Sequence, residues 1–222
     1  MSTDPLAQIE TQLRAKALNE RKAALDSLAV QPAAVAVPIL QRLAAENDFL
    51  LRRLAVMGLG NHPSNEAFTT LSTMLTAEQD NNVLAEVANS LFEFGDRAVP
   101  LLVNLFNTRR DWLIRQTVLA LLMEAEQPET LLQVATAALN DDAQTVRETA
   151  ILALRQVLSS DYQAAALALL GDLAKSDYWR DRWRAAIALT GCQAPAARQL
   201  IQTLQQDEHY RVSAAALDAA MG

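Results

Sequence analysis

The chain is poor in the residues from which enzyme centres and β-sheets are most often built. Its 222 residues include one cysteine, two histidines, six glycines and eleven aromatics. A single thiol, Cys192, cannot close an internal disulfide, and it fits a reducing cytoplasm. Lysine is nearly missing as well: positive charge rests on 16 Arg and 3 Lys, and 26 acids leave a net charge of −7. That balance argues against DNA or RNA as the main partner. No long apolar run occurs. A stretch such as Ala164–Gly171 is far too short to span a bilayer, so the protein is expected not to be membrane-integral. The segment from Met1 to Pro5 lacks the basic and apolar regions of a secretory signal, which adds to the cytoplasmic expectation.

What is abundant is Ala and Leu, with 41 and 36 copies and a hydrophobic content of 51%. Both head the helix-propensity scale, whereas the scarce glycines and aromatics serve turns and strands better. The fold class expected is all-α, with ample apolar material for a core.

The helices repeat. Glu20–Leu28, Leu51–Leu59, Val83–Leu91, Ile114–Leu122 and Val146–Leu154 align residue for residue, and segments from Asp181 and Tyr210 fit more loosely. Their second column holds Arg21, Arg52, Leu84, Arg115, Arg147, Arg182 and Arg211, in steps of 31, 32, 31, 32, 35 and 29 residues. Such a period marks stacked repeats. Seven units are expected in one continuous domain over 1–222, at roughly 4–30, 31–61, 62–95, 96–126, 127–159, 160–191 and 192–222.

Each unit reads as two helices. Ile114, Val118, Leu121, Leu122 and Ala125 form one buried helical stripe, and Val83, Val87, Leu91 and Phe94 form another. Pro38 and Pro100 are expected in the first turn of a first helix, where a missing N–H costs nothing. Gly60, Gly95 and Gly191 are expected at left-handed positions after second helices. Asp48, Asp80, Asp111, Asp141, Asp142, Asp177 and Asp207 precede second helices as candidate caps. The i,i+4 spacing of Asp48/Arg52, Asp111/Arg115 and Asp207/Arg211 places each pair on one helical face. The regular arginine column suggests a ladder between adjacent repeats.

An Ala-Val-Pro-x-Leu first helix (Ala36–Leu40, Ala98–Leu102), an Asp in the turn and a Val-Arg-x-x-Ala second helix (Val146–Ala150) resemble HEAT repeats. The short period resembles the subtype found in phycobilin lyase subunits E and F and in phycobilisome-degradation proteins. That resemblance implies a right-handed α-α solenoid of the armadillo/HEAT type, with second helices lining a concave surface that grips a protein. In those relatives the partner is a phycobiliprotein, with attachment or removal of a linear tetrapyrrole. The third repeat departs from the pattern by lacking the arginine, and the last two by their lengths.

Catalytic material is sparse. His62 and His209 fall in repeats three and seven, and a solenoid repeat touches only its neighbours, so the two are not expected to share a metal or nucleophile site. Cys192, within Gly-Cys-Gln-Ala-Pro, reads as an inter-repeat turn. Gly58-Leu-Gly60 lacks the remainder of a dinucleotide fingerprint. No catalytic, cofactor-binding or metal residue is assigned, and no cofactor is expected.

Two surface features remain. Tyr178, Trp179, Arg180, Arg182, Trp183 and Arg184 crowd the start of the second helix of repeat six, with Trp179 and Trp183 on one face. Trp, Tyr and Arg dominate interface hot spots, but two tryptophans also fill a core beneath an Ala-rich repeat, and both readings stand. Trp112 and Arg115 repeat the motif more weakly in repeat four. Together with Arg147 and Arg211 these are the expected partner contacts, a basic and aromatic strip fit for tetrapyrrole propionates or an acidic protein face. The second feature is charge segregation. Six acids and no Lys or Arg lie between Arg53 and Arg97, which reads as a solvated face or a docking surface for a basic partner. The function expected is a non-catalytic protein-binding scaffold acting on a phycobiliprotein or another antenna component. The alternative is a bilin lyase subunit in transient contact with pigment.

Overall fold

The computed structural model describes residues 5–221. Asp4 and Gly222, the outer ends of the first and last expected repeats, lie outside them. Among the described residues there are fourteen α-helices, one 3-10 turn at Gly95–Arg97, and no strand. The helices form seven hairpins: α1 (Pro5–Leu13) with α2 (Leu18–Ala29), α3 (Ala33–Ala44) with α4 (Phe49–Gly60), α5 (Asn65–Ala77) with α6 (Asn81–Phe92) and α7 (Val99–Thr108) with α8 (Trp112–Glu124). The series continues with α9 (Pro128–Ala138) and α10 (Gln144–Val157), α11 (Gln163–Leu173) and α12 (Trp179–Ala188), and α13 (Pro195–Leu204) and α14 (Tyr210–Met221).

Two compact units divide within α8, between Val118 and Leu119. In the first, α2, α4 and α6 stack as one layer and α3 packs beside α5 in the other. In the second, α10, α12 and α14 stack while α11 packs beside α13. Leucine and alanine fill these layers at fixed places. Leu59, Leu91 and Leu154 are fully buried and Leu122 nearly so, as are Ala55, Ala150 and Ala153, where a methyl group lets helices approach. Each buried leucine contributes about 2 kcal/mol of apolar burial.

Two turn expectations need correction. Pro38 lies inside α3, not at its start, because the helix begins five residues earlier, at Ala33, with Pro32 as its cap residue. Pro100 does sit in the first turn of α7. Gly95 and Gly191 adopt left-handed φ values of 62° and 81°, but Gly60 is the last residue of α4. Its small size answers a packing need: a Cβ there would stand 3.0 Å from the Cβ and 3.1 Å from the Cα of Ser90 on α6.

The arginine column is a structural ladder. Arg21, Arg52, Arg115, Arg147 and Arg182 each occupy the fourth residue of their helix and fold back to carbonyls at the end of the preceding helix or in the turn. Arg52 Nη1 donates to the carbonyls of Glu46 and Asn47, each at 3.0 Å. Arg147 reaches Asp141 and Asp142 at 2.6 and 3.0 Å, and Arg182 reaches Ser176 and Asp177 at 2.8 and 3.3 Å. Arg21 reaches Ala15 at 2.6 Å; Arg115, buried over the Phe106 ring, reaches the Phe106 carbonyl at 2.8 Å. These carbonyls have no intrahelical donor, so a guanidinium satisfies them.

The same guanidiniums then bond to a carboxylate of the next repeat: Arg21 to Asp48 at 3.0 Å, Arg52 to Glu78 at 2.7 and 3.1 Å, and Arg182 to Asp207 at 2.6 and 3.0 Å. Asp48 and Asp207 thus pair across repeats, in place of the i,i+4 partners that spacing suggests. The reason is local. Asp48 Oδ1 accepts from the N–H groups of Leu50 and Leu51 as the α4 cap, leaving Oδ2 for Arg21. Asp80 and Asp111 cap α6 and α8 in the same way. At α10 and α12 the expected Asp caps do not form: Ala143 and Tyr178 stand at the cap positions without a side-chain cap bond, and the nearby Asp141 and Ser176 side chains accept from the Ala143 and Tyr178 N–H groups in the turns instead.

In repeat three, Leu84 takes the column position and is buried. Arg109, from the next repeat, fills the vacated role: its Nη2 donates to the carbonyls of Leu75 and Glu78 at 3.2 and 3.3 Å. Repeat seven departs differently. Arg211 is only the second residue of α14, so its side chain leaves the ladder and lies exposed on the surface.

Candidate functional site

The ladder's shift of register in repeat seven builds a surface cluster in the second unit. Trp179 opens α12 and Trp183 follows one turn later, their ring centroids 6.2 Å apart. His209 precedes α14, and its Nδ1 accepts from the Arg211 N–H at 3.3 Å. That hydrogen bond holds the imidazole flat against Trp179, at 4.1 Å and 6° between planes. The Tyr210 ring extends the stack, 5.3 Å beyond His209. Arg180 and Arg211 flank Trp179 at 5.4 and 5.6 Å, and Arg211 Nε donates to the Tyr210 hydroxyl at 3.0 Å. Cation–π geometry of this kind contributes about 0.5–1 kcal/mol at exposed sites.

Of the two alternatives for the tryptophans, core packing does not describe the arrangement. Trp179 and Trp183 are half-buried, Tyr178 is 40% and Tyr210 70% exposed, and the core beneath is supplied by Ala185, Ala186 and Ala188. The arginines differ among themselves. Arg182 is engaged by Asp207, and Arg184 by Glu148 at 2.8 Å while covering Trp183 at 4.7 Å. Arg180 and Arg211 make no ion pair among the described residues. Arg115 and Arg147 are engaged in the ladder. Trp112 stands 50% exposed at the start of α8, in the first unit.

His209 and Tyr210 were not singled out by sequence reasoning, yet a signal was available. The first residues of the seven second helices are Leu18, Phe49, Asn81, Trp112, Gln144, Trp179 and Tyr210. Five are large and apolar or aromatic, and Leu18, Phe49, Trp112 and Tyr210 are exposed. The acid-rich stretch between Arg53 and Arg97 is partly consumed internally: Glu78 pairs with Arg52 and Glu86 with Arg53 at 2.9 Å. Among the described residues no group of His, Cys, Asp and Glu is placed to hold a metal ion. His62 is buried after α4 in the first unit, and Cys192 lines a turn-side pocket of about 380 Å³ with Arg198 and Gln205. None of the described helices is long and apolar enough to cross a membrane.

A family model of HEAT repeats matches residues 36–123. The fold is an all-α solenoid. Solved structures resemble it along nearly the whole chain. The Escherichia coli protein YIBA aligns with a TM-score of 0.68 at 13% identity, over 96% of this chain and 81% of its own. The complex of CpcE and CpcF of phycocyanin lyase from Nostoc sp. PCC7120 aligns with a TM-score of 0.52 at 17% identity, over 100% of this chain and 96% of that one. Karyopherin Kap121p, bound to the extreme C-terminus of the protein phosphatase Cdc14p, gives 0.55 at 20% identity, over 96% of this chain but 29% of the karyopherin. No curated protein matches the sequence.

Proposed function

We propose that this chain is a protein-binding scaffold whose contact surface centres on Trp179, Trp183, His209 and Tyr210, with Tyr178, Arg180, Arg184 and Arg211 around them. Trp112 is a further contact at the start of its own helix. Arg115, Arg147 and Arg182 contribute by holding the helix starts in register. The observation that carries the reading is the half-buried ring stack on an otherwise acidic chain, because large rings beside guanidiniums give contact area and polar reach together. The client proposed is a phycobiliprotein or another photosynthetic-antenna component, supported by the likeness to phycocyanin lyase subunits. Sedimentation of the purified chain with purified phycocyanin tests it. Co-migration that is lost in Trp179→Ala/Tyr210→Ala, with helical content kept, is the outcome expected; independent migration of the native proteins contradicts the client.

The same likeness favours a second reading, a bilin lyase subunit that touches a linear tetrapyrrole during its transfer. Mixing the chain with a bilin, with and without an apo-phycobiliprotein, distinguishes the two. An absorbance shift of the pigment supports the lyase reading, and an unchanged spectrum contradicts it.

A further inference from the structure

We propose that Arg180 and Arg211, at the edges of the Trp179–His209–Tyr210 ring platform, dock an acidic segment of a partner polypeptide. This rests on the scaffold reading and adds the chemistry of what that surface takes. Other arginines near the platform are already neutralised: Arg182 holds Asp207 through two nitrogens, and Arg184 holds Glu148. Arg180 and Arg211 carry no carboxylate, although acids outnumber bases 26 to 19 along the chain. A guanidinium presented on an aromatic ring is less hydrated than an ammonium and keeps a bidentate fork open to a carboxylate.

The spacing fits an extended peptide. Both guanidiniums lie close to one indole, at 5.4 and 5.6 Å from its centroid, which limits their separation to about 11 Å. Carboxylates two residues apart on an extended strand point the same way and start about 7 Å apart, within reach of both arginines. The Tyr210 ring, 70% exposed, offers a flat contact for an apolar side chain flanking the acids. A nucleic acid fits less well. It would carry its dense run of phosphates past these two cations into the field of a chain with net charge −7, and that field repels a polyanion.

The test is a fluorescence-anisotropy titration of the full chain against three labelled probes of equal length: a peptide with Glu, Glu and Tyr at successive alternate positions and Ser between them, its Gln-for-Glu analogue, and oligo-dT. The acidic peptide is expected to bind at least tenfold more tightly than the Gln analogue and than oligo-dT. R180Q/R211Q, which removes two cations that hold no carboxylate, is expected to abolish that preference and leave the helical circular-dichroism signal unchanged. Equal binding of the Glu and Gln peptides, preference for oligo-dT, no binding, or an undiminished preference in R180Q/R211Q each overturns the proposal. Failure here is separable from failure of the scaffold reading. Phycocyanin binding lost in Tyr210→Ala but kept in R180Q/R211Q would leave the scaffold standing without the acidic segment.

Discussion

Arginines that look interchangeable in the sequence differ by what their nitrogens meet. Arg182 bonds two carbonyls behind it and both oxygens of Asp207 ahead of it, with both side chains largely shielded from water. Its truncation strands a carboxylate, so Arg182→Ala is expected to cost about 3 kcal/mol, whereas Arg180→Ala, with no ion pair to lose and only a cation–π contact to Trp179, should cost no more than about 1 kcal/mol. Urea unfolding of the two variants measures the difference. Arg109 gives a sharper case. It lies outside the column, but it supplies the donors that Leu84 cannot. Arg109→Ala should therefore lower stability by about 1.5–3 kcal/mol, while the neighbouring exposed Arg110→Ala leaves it nearly unchanged. Equal effects would contradict the substitution of one arginine for the other.

At the scale of the helix, two glycines have opposite expected responses. Gly171 lies inside α11, and a Cβ there would meet only Leu200 methyls at 3.7 and 3.8 Å. Gly171→Ala should stabilise by about 1 kcal/mol, the helix-propensity gain. At Gly60, the last residue of α4, the added carbon meets the Cβ and Cα of Ser90 at 3.0 and 3.1 Å, so Gly60→Ala crowds α6 and should destabilise by about 1–3 kcal/mol. Thermal unfolding followed by circular dichroism reads both signs.

The sequence made the helix pairs, the Leu and Ala layers and the Asp caps of α4, α6 and α8 legible because these are set by periodicity within one element. Pairing across repeats was not legible. Asp48 to Arg21, Glu78 to Arg52 and Asp207 to Arg182 join residues 27, 26 and 25 positions apart, beyond the reach of any pattern within one helix. The ring stack was hidden for a related reason: Arg211 falls in the alignment column but not at the fourth residue of its helix. Counting from helix starts would have exposed both the shift and the row of large side chains at Trp112, Trp179 and Tyr210.

Across the whole molecule the ladder ties stability to acid. At Asp207 the Arg182 hydrogen bond lowers the carboxyl's pKa, outweighing burial, and the His209 N–H lowers it further. At Glu78 burial pushes the pKa up, but Arg52 and two backbone N–H groups more than reverse it; the carboxyl of Asp48 is lowered against burial by Arg21 and its cap bonds. Carboxyls depressed in the folded state stabilise it above their ordinary values near 4 and lose that contribution as pH falls through the folded values. Stability should thus hold down to about pH 5 and decline below it, with a smaller decline in Asp207→Asn. A pH-independent urea midpoint between 5 and 3 would contradict the ladder's role.

Binding through the ring stack of repeats six and seven is the claim on which the functional account depends. Its most direct measurement is the affinity of the full chain for purified phycocyanin by isothermal titration calorimetry, for the native sequence and for Tyr210→Ala, whose ring is 70% exposed. A loss of at least tenfold in affinity at an unchanged melting temperature is predicted. Equal affinities, or no heat of binding to the native chain, would contradict it.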